Sequence, residues 1–405
     1  MESNNTSNLA AEGDGGDSPP RQLPQTEAEV YGDDVLLEEE SLSWFDPEKW
    51  YPVRIGEVIQ SRYQVLVKLG FGSVSTVWLC RDLRRRHIYV ALKVYETGHR
   101  QGDNESKVLQ HLGSLTGNEV GRNLIRTFRD SFELQGTIGP HVCLVYKPLC
   151  MSLEDLRLYA GGKIPRDVVK PLIRTLLPGL NYLHKVAHVV HTDLQPGNIM
   201  LSTDNPHVWD ELVEEEWDTP TPRKIMSDRI IYQSRDLDIP EDGEPVICDF
   251  GEAKVGDGPF IGEVMPDLYR APEIILYIPW TEKIDIWSLG LMIWDLFEGK
   301  HLFNNRLPSR EATRPAHLAR MVSLLGNPPK DFLERSEYSV EFFDDDGNLK
   351  MQPEDVAGSS LEEEEDVLEG DEKEQFLSLI RKTLQWRPED RPTAHELMSD
   401  PWLNS

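Results

Sequence analysis

Apolar and polar positions alternate along Tyr63-Gln-Val-Leu-Val-Lys-Leu69, Ser75-Thr-Val-Trp-Leu-Cys80 and Ile88-Tyr-Val-Ala-Leu-Lys-Val94. All three runs are rich in β-branched residues, so each predicts a strand. A short helix is expected next, capped at Asp103 or Asn104 and running to Leu112, then a strand over 141–146. After Pro148 the period changes. Leu172, Ile173, Leu176, Leu177, Leu180 and Leu183 form a helical stripe over 171–185, and 284–297 is dense enough in apolar residues to predict a buried helix. A β-rich part therefore precedes an α-rich part, with the boundary near 147–149.

Two polar stretches interrupt this pattern. Residues 201–245, with Glu214-Glu215-Glu216 and several prolines, read as an insert. Residues 361–374 carry nine carboxylates and one lysine and read as a solvated acidic loop. Residues 1–40 hold Gly, Ser, Pro and acids with few large apolar side chains, too little to offset ordering entropy. The tail is expected to be disordered and acidic over 1–49, the composition shifting near Trp44 and Trp50.

Composition narrows the classes. The 405 residues include 42 basic and 71 acidic side chains, a net charge of −29, which argues against direct nucleic-acid binding and suits a basic partner or simple solubility. No apolar run is long enough to span a membrane, and the polar, acidic start is neither a secretory signal nor a transit peptide. Cys80, Cys143, Cys150 and Cys248 are too scattered for a disulfide framework or a zinc site, so a reducing compartment, cytoplasm or nucleus, is expected. Cys248 can face a ligand pocket or simply fill core as a small hydrophobe.

Four motifs carry candidate chemistry. Gly70-Phe-Gly72-Ser-Val-Ser75-Thr-Val77 falls on a hairpin, where glycines let backbone N–H groups approach phosphates, although a glycine hairpin alone is more often only a turn. Val90-Ala-Leu-Lys93 puts a lysine on a buried strand; it needs a partner such as Glu105, unless the strand edge faces water. His191-Thr-Asp193-Leu-Gln-Pro-Gly-Asn198 offers a carboxylate that can accept a hydroxyl proton and an amide that can hold a divalent cation. Val246-Ile-Cys-Asp249-Phe250-Gly251 ends a strand on a second hard oxygen ligand. With Ala271-Pro-Glu273, Asp285-Ile-Trp-Ser-Leu-Gly290 and Arg387-Pro-Glu-Asp-Arg391-Pro, the order matches the protein-kinase signature.

The chain resembles eukaryotic protein kinases over roughly residues 50–403. Within them it is similar to the serine/arginine-rich-protein kinase family through Tyr51-Pro-Val-Arg-Ile-Gly56, Gly70-Phe-Gly-Ser-Val-Ser-Thr-Val-Trp-Leu79, His191-Thr-Asp193 and Glu341-Phe-Phe-Asp-Asp-Asp-Gly-Asn-Leu349. The short stretch 201–245, in place of that family's insert, resembles its fungal branch. The resemblance implies an α+β, bilobal fold, with a β-rich N-lobe over about 50–147 and a helical C-lobe over about 148–403. It implies ATP and Mg²⁺ as cofactors. It places the nucleotide against Leu69, Gly70, Phe71, Gly72, Ser73, Val74, Ser75, Thr76 and Val77, with Ala91 and Met200 at adenine. Tyr146 guards the back of that pocket, and backbone at Lys147 and Leu149 bonds the adenine edge. Lys93, held by Glu105, contacts phosphates; Asp193 is the catalytic base; Asn198 and Asp249 bind metal. Glu273 and Arg391 form a structural ion pair.

Three positions depart from the general pattern. Thr192 replaces the arginine that grips a phosphorylated activation loop, and residues 251–268 contain no Ser, Thr or Tyr to phosphorylate. Gln195 replaces a lysine that contacts the γ-phosphate, and Pro266 replaces the threonine that bonds that lysine. The resemblance thus implies a monomeric serine/threonine kinase acting on basic, Arg/Ser-rich proteins linked to RNA splicing. An ATP-binding scaffold with weak or no transfer is the alternative that Gln195 and Pro266 motivate, and a small-molecule phosphotransferase the third reading. An acidic docking groove is expected from Asp285 to Asp295 and from 361–374.

Overall fold

The computed structural model describes residues 18–23, 26–85, 87–117, 119–240, 242–303, 314–350 and 359–405. They fall into two compact units. One comprises the described residues up to Gly102 with Phe128–Leu149 and Asp204–Asp238; the other comprises Asp103–Thr127, Cys150–Thr203 and Ile239–Ser405.

The first unit is built on an antiparallel sheet. Its strands are β1 Val58–Ile59, β2 Tyr63–Phe71, β3 Ser75–Asp82, β4 Tyr89–Tyr95, β5 Phe128–Gln135 and β6 Pro140–Tyr146, in the order β1-β2-β3-β4-β6-β5. The expected strands fall where the alternation put them. β5 was not legible. Its Arg129, Asp130 and Glu133 break the apolar pattern, because it is an edge strand that pairs with β6 alone and tolerates charge. Val65, Trp78, Cys80, Leu92, Val94, Cys143 and Val145 form the core under the sheet.

Two expectations are corrected here. Residues 26–49 are not a structureless tail. Val30 bridges Arg223, Leu37 is buried, and Glu38–Ser41 makes a 3₁₀ turn. The cause is Lys68. It sits fully buried on β2, and a buried ammonium is costly without counter-charge; Glu39 and Glu38 supply it. Nor is 201–245 a polar appendage of the helical part. Asp204–Asp238 belongs to the first unit. The helix His207–Asp218 buries Trp209, Leu212 and Val213 at helical spacing. The hairpin Arg223–Ile225 with Ile230–Tyr232 sends Tyr232 into the core, edge-on to Trp78 at 5.7 Å.

The second unit is helical, with Arg166–Tyr182 and Lys283–Glu298 at its centre; every residue from Ile284 to Glu298 is buried. The helix expected from Asp103 runs Arg100–Ser114 instead. It begins a turn earlier, at Arg100, and at Gly102 a Cβ would meet the Tyr95 ring at 3.0 Å and Val142 at 3.1 Å. The stretch 361–374 is not simply a solvated loop. Ser360 caps a turn over Leu361–Glu364, Glu365 is buried against Lys373, and Gly370–Thr383 is a helix.

Glu298, at the end of its helix, is 1% exposed, and neither carboxyl oxygen has a hydrogen-bond partner among the described residues. Burial, then the charges of Glu365 and Asp366, push its carboxyl up to about 7, with Lys163 and Lys300 opposing. A carboxyl raised on folding stabilises below its unfolded value and loses that contribution as pH rises through about 7. Glu298→Gln is therefore expected to raise the melting temperature by roughly 1–3 °C at about pH 8, with no gain at about pH 5. Equal shifts at both pH values would contradict this account.

Candidate active site

The second unit assembles Asp193, Gln195, Asn198 and Asp249 from two short strands and a clamp. Ile199–Leu201 pairs antiparallel with Pro245–Ile247, and the Cys248 N–H donates to the Asn198 carbonyl at 2.8 Å. This register sets Asn198 and Asp249 at adjoining strand ends. The clamp is Asp285, fully buried on its helix. Its carboxylate accepts from the N–H of His191 at 2.8 Å and of Thr192 at 2.9 Å, and its Oδ2 lies 2.9 Å from His184 Nε2. Thr192 sits at φ 69°, a left-handed conformation that is unfavourable for a β-branched residue. Those bonds, with its hydroxyl donating to the Glu252 carbonyl at 3.0 Å, hold it there. His191 spans the Cys248 carbonyl at 2.9 Å and the Asp193 N–H at 3.2 Å.

Asp193 is thereby aimed and held. Gln195 Nε2 donates to its Oδ1 at 2.8 Å, and Asn198 Nδ2 donates to its Oδ2 and to its backbone carbonyl, each at 2.8 Å. Burial pushes the Asp193 carboxyl up to about 6; His191 opposes this, the Asp249 charge adds to it, and the amides of Asn198 and Gln195 lower it. With its amide nitrogen committed to Asp193, Asn198 has a side-chain oxygen that could hold a cation. Asp249, also at positive φ, accepts from the Gly251 N–H at 3.2 Å. Hard oxygen donors beside two mutually repelling carboxylates fit a magnesium ion.

Glu105 is buried on its helix and accepts from the Phe250 N–H at 3.4 Å. Beside it, Asn104 donates to the carbonyls of Gly251 at 2.9 Å, Ala253 at 3.0 Å and Phe250 at 3.3 Å. Sequence reasoning gave Asn104 only a capping role. The available signal was an asparagine, a weak helix former, one position before the motif glutamate. Met200 lies in its short strand opposite Val246. Cys248 is buried, its Sγ donating to the Val246 carbonyl at 3.4 Å, and burial raises its thiol to about 11, as a core residue.

The expected acidic groove loses two members. Asp285 serves the clamp, and Asp295 is buried against Tyr269 Oη at 2.6 Å and His301 Nδ1 at 2.7 Å. Glu273 and Arg391 form a bidentate pair at 2.6 and 2.7 Å.

The first unit carries the other candidates. Across the sheet Val77 pairs with Lys93, and Ala91 with Tyr146; cross-strand partners share a face, as do residues two apart, so all four lie on the face opposite the core. Gly70 pairs with Val77 and Phe71 with Thr76, and the Gly72 N–H closes the turn on the Ser75 carbonyl at 2.8 Å. A Cβ added at Gly70 would meet no atom of the described residues within 4 Å, so packing does not demand glycine there. Ser73 and Val74 form the tip of the turn between Gly72 and Ser75. The Lys93 ammonium lies 4.8 Å from the Tyr95 ring centroid. Leu69 is the half-buried residue that follows the last buried position of β2, and Leu149 is buried at the limit of the unit.

The protein kinase domain model matches residues 63–403, so the chain belongs to the protein kinase family. It is a serine/threonine protein kinase of the SRPK-like group. A serine/threonine protein kinase of Aspergillus fumigatus is 42% identical over 95% of this chain and 95% of its own length. The serine/threonine-protein kinase SRPK of Physarum polycephalum is 29% identical, covering 92% and 93%. SRSF protein kinase 3 of Mus musculus is 23% identical, covering 88% of each. Among the described residues no helix is long and apolar enough to cross a membrane.

Proposed function

We propose that this kinase transfers the γ-phosphate of ATP to serines of basic, Arg/Ser-rich proteins, as a monomer in the cytoplasm or nucleus, in connection with RNA splicing. The observation that carries the transfer step is the fixing of Asp193 by Gln195 and Asn198 beside Asp249. The substrate hydroxyl gives its proton to the Asp193 carboxylate as its oxygen bonds the γ-phosphorus, and the bond to the ADP oxygen breaks. A carboxyl near 6 is ionised at neutral pH and close enough to it to accept a proton. Asn198 and Asp249 would hold magnesium, which when bound neutralises phosphate charge. Lys93, with Glu105, would orient the α- and β-phosphates. The hairpin 69–77 would cover them, with Val77, Ala91, Met200, Tyr146 and Leu149 around the base. Gln195 replaces a cationic contact to the γ-phosphate by a hydrogen bond that aims Asp193. No observation favours the scaffold alternative.

Thr192, spent on the Glu252 carbonyl, and a segment 251–268 without a hydroxyl support activity that needs no phosphorylation there. The names of the SRPK and SRSF kinase relatives and the charge of −29 support a basic substrate. The test is kcat/KM on an Arg-Ser repeat peptide against casein. The peptide is expected to be favoured by about tenfold or more at low salt, and less as salt is raised. Equal or better phosphorylation of casein would overturn the substrate assignment.

A further inference from the structure

We propose that Trp44, which lies ahead of the kinase motifs, is a positioning residue for the glycine-rich hairpin: its indole N–H holds the hairpin tip through the carbonyl of Ser73. This rests on the reading above that the hairpin covers the phosphates of ATP.

The indole Nε1 donates to the Ser73 carbonyl at 2.9 Å. The Trp44 side chain is 55% exposed, so apolar burial does not account for its placement; the bond does. The residues around it are built to keep it there. Leu42 and Phe45 turn the chain by N–H bonds to the carbonyls of Glu39 at 3.1 Å and Leu42 at 3.0 Å. The Phe45 ring packs 5.7 Å from that of buried Trp50. Glu38 and Glu39 pair with Lys68, the Ser234 hydroxyl donates to Glu38 at 2.7 Å, and Lys224 pairs with Glu40 at 3.0 Å. Lys68 is the hub. It lies on β2 two residues before Gly70, with its ammonium 5.6 Å from the Phe71 ring centroid. One buried ionic network thus fixes both the segment that carries Trp44 and the strand that enters the hairpin.

The consequence follows from peptide geometry. In a trans peptide the carbonyl and the next N–H point in opposite directions. A donor on the Ser73 carbonyl therefore fixes the direction of the Val74 N–H, away from Trp44. The next peptide is held likewise, because the Val74 carbonyl accepts from the Glu96 N–H at 2.8 Å, which fixes the Ser75 N–H. Two successive peptide planes of the turn, in which Gly72 and Ser73 are exposed and Val74 and Ser75 buried, are held by donors from Trp44 and Glu96. Their amides are set before a phosphate arrives, so the nucleotide need not order them. Without Trp44 only a fraction of molecules would present the tip correctly, and apparent affinity would fall by that fraction.

The test is Trp44→Phe in the full-length chain, which keeps an aromatic ring and removes the donor at an exposed position. Amide hydrogen exchange over residues 70–76 without nucleotide reads the tether directly. Calorimetric binding of Mg·ADP, and KM for ATP against kcat, read its effect. Exchange at the tip is expected to quicken, and Kd and KM to rise, by about threefold to tenfold, the worth of one hydrogen bond. kcat and the melting temperature are expected to stay unchanged, which a general loss of fold would not produce. Unchanged exchange in the hairpin overturns the tether, whatever the affinity. Faster exchange with unchanged Kd and KM overturns the positioning role. If the wild-type protein itself bound no nucleotide, the reading of the hairpin would fail, while the exchange result would still decide the tether.

Discussion

Asp193→Asn lowers phosphoryl transfer by about 10³-fold while leaving the protein folded and able to bind nucleotide. The substitution keeps the shape of the side chain and an oxygen that can accept from Gln195 or Asn198, both at 2.8 Å in the wild type. It removes the proton acceptor. The size follows from the range that a positioned general base contributes. The melting temperature is not expected to fall. Asp193 is buried beside a second carboxylate, so the folded state bears a cost for its charge that asparagine does not carry. Steady-state transfer, with calorimetric nucleotide binding and thermal melting on the same sample, checks all three expectations. A variant retaining a tenth or more of wild-type kcat would show that Asp193 is not the base.

Glu273→Gln produces the largest expected loss of stability. Glu273 and Arg391 are both fully buried, and both guanidinium nitrogens facing the carboxylate are used, at 2.6 and 2.7 Å. Arg391 also donates to the carbonyls of Gln385 at 2.9 Å and Lys283 at 3.0 Å, with its guanidinium 4.9 Å from the Trp287 ring centroid. These contacts fix the arginine, so it cannot leave when its counter-ion is gone. Removing one partner of a buried pair leaves an uncompensated charge and costs about 3–5 kcal/mol. Denaturant unfolding should show that loss, and a double variant, Glu273→Met with Arg391→Leu, should recover part of it. A loss below about 1 kcal/mol in the single variant would contradict the burial of the pair.

The candidate motifs were legible because the chemistry proposed for them dictates residue type. A base, two oxygen ligands and a glycine hairpin need particular side chains at particular spacings, and Asp193, Asn198, Asp249 and Gly70 stood out accordingly. The sheet and the main helices were legible because periods of two and 3.6 mark a buried face. Besides the charged edge strand β5, three features were not legible, each for a physical reason. The acidic residues 38–40 look like solvent-exposed tail until buried Lys68, far along the chain, requires them. The helix His207–Asp218 hides a three-residue apolar stripe among carboxylates. Asn104 reads as a cap by local propensity but is used as a donor to three distant carbonyls. For residues 38–40 and for Asn104 the decisive partner is remote in sequence, and a local pattern carries no trace of it.

The central claim is that this active site transfers phosphate with Gln195 in the place of the usual lysine. A single-turnover experiment tests it most directly: excess wild-type protein, γ-labelled ATP, magnesium and an Arg-Ser repeat peptide, with phosphoserine located by mass spectrometry. Label is expected on peptide serines in near-stoichiometric yield from protein first treated with phosphatase. Nucleotide bound to the protein, with no phosphoserine formed on any protein substrate offered, would contradict it.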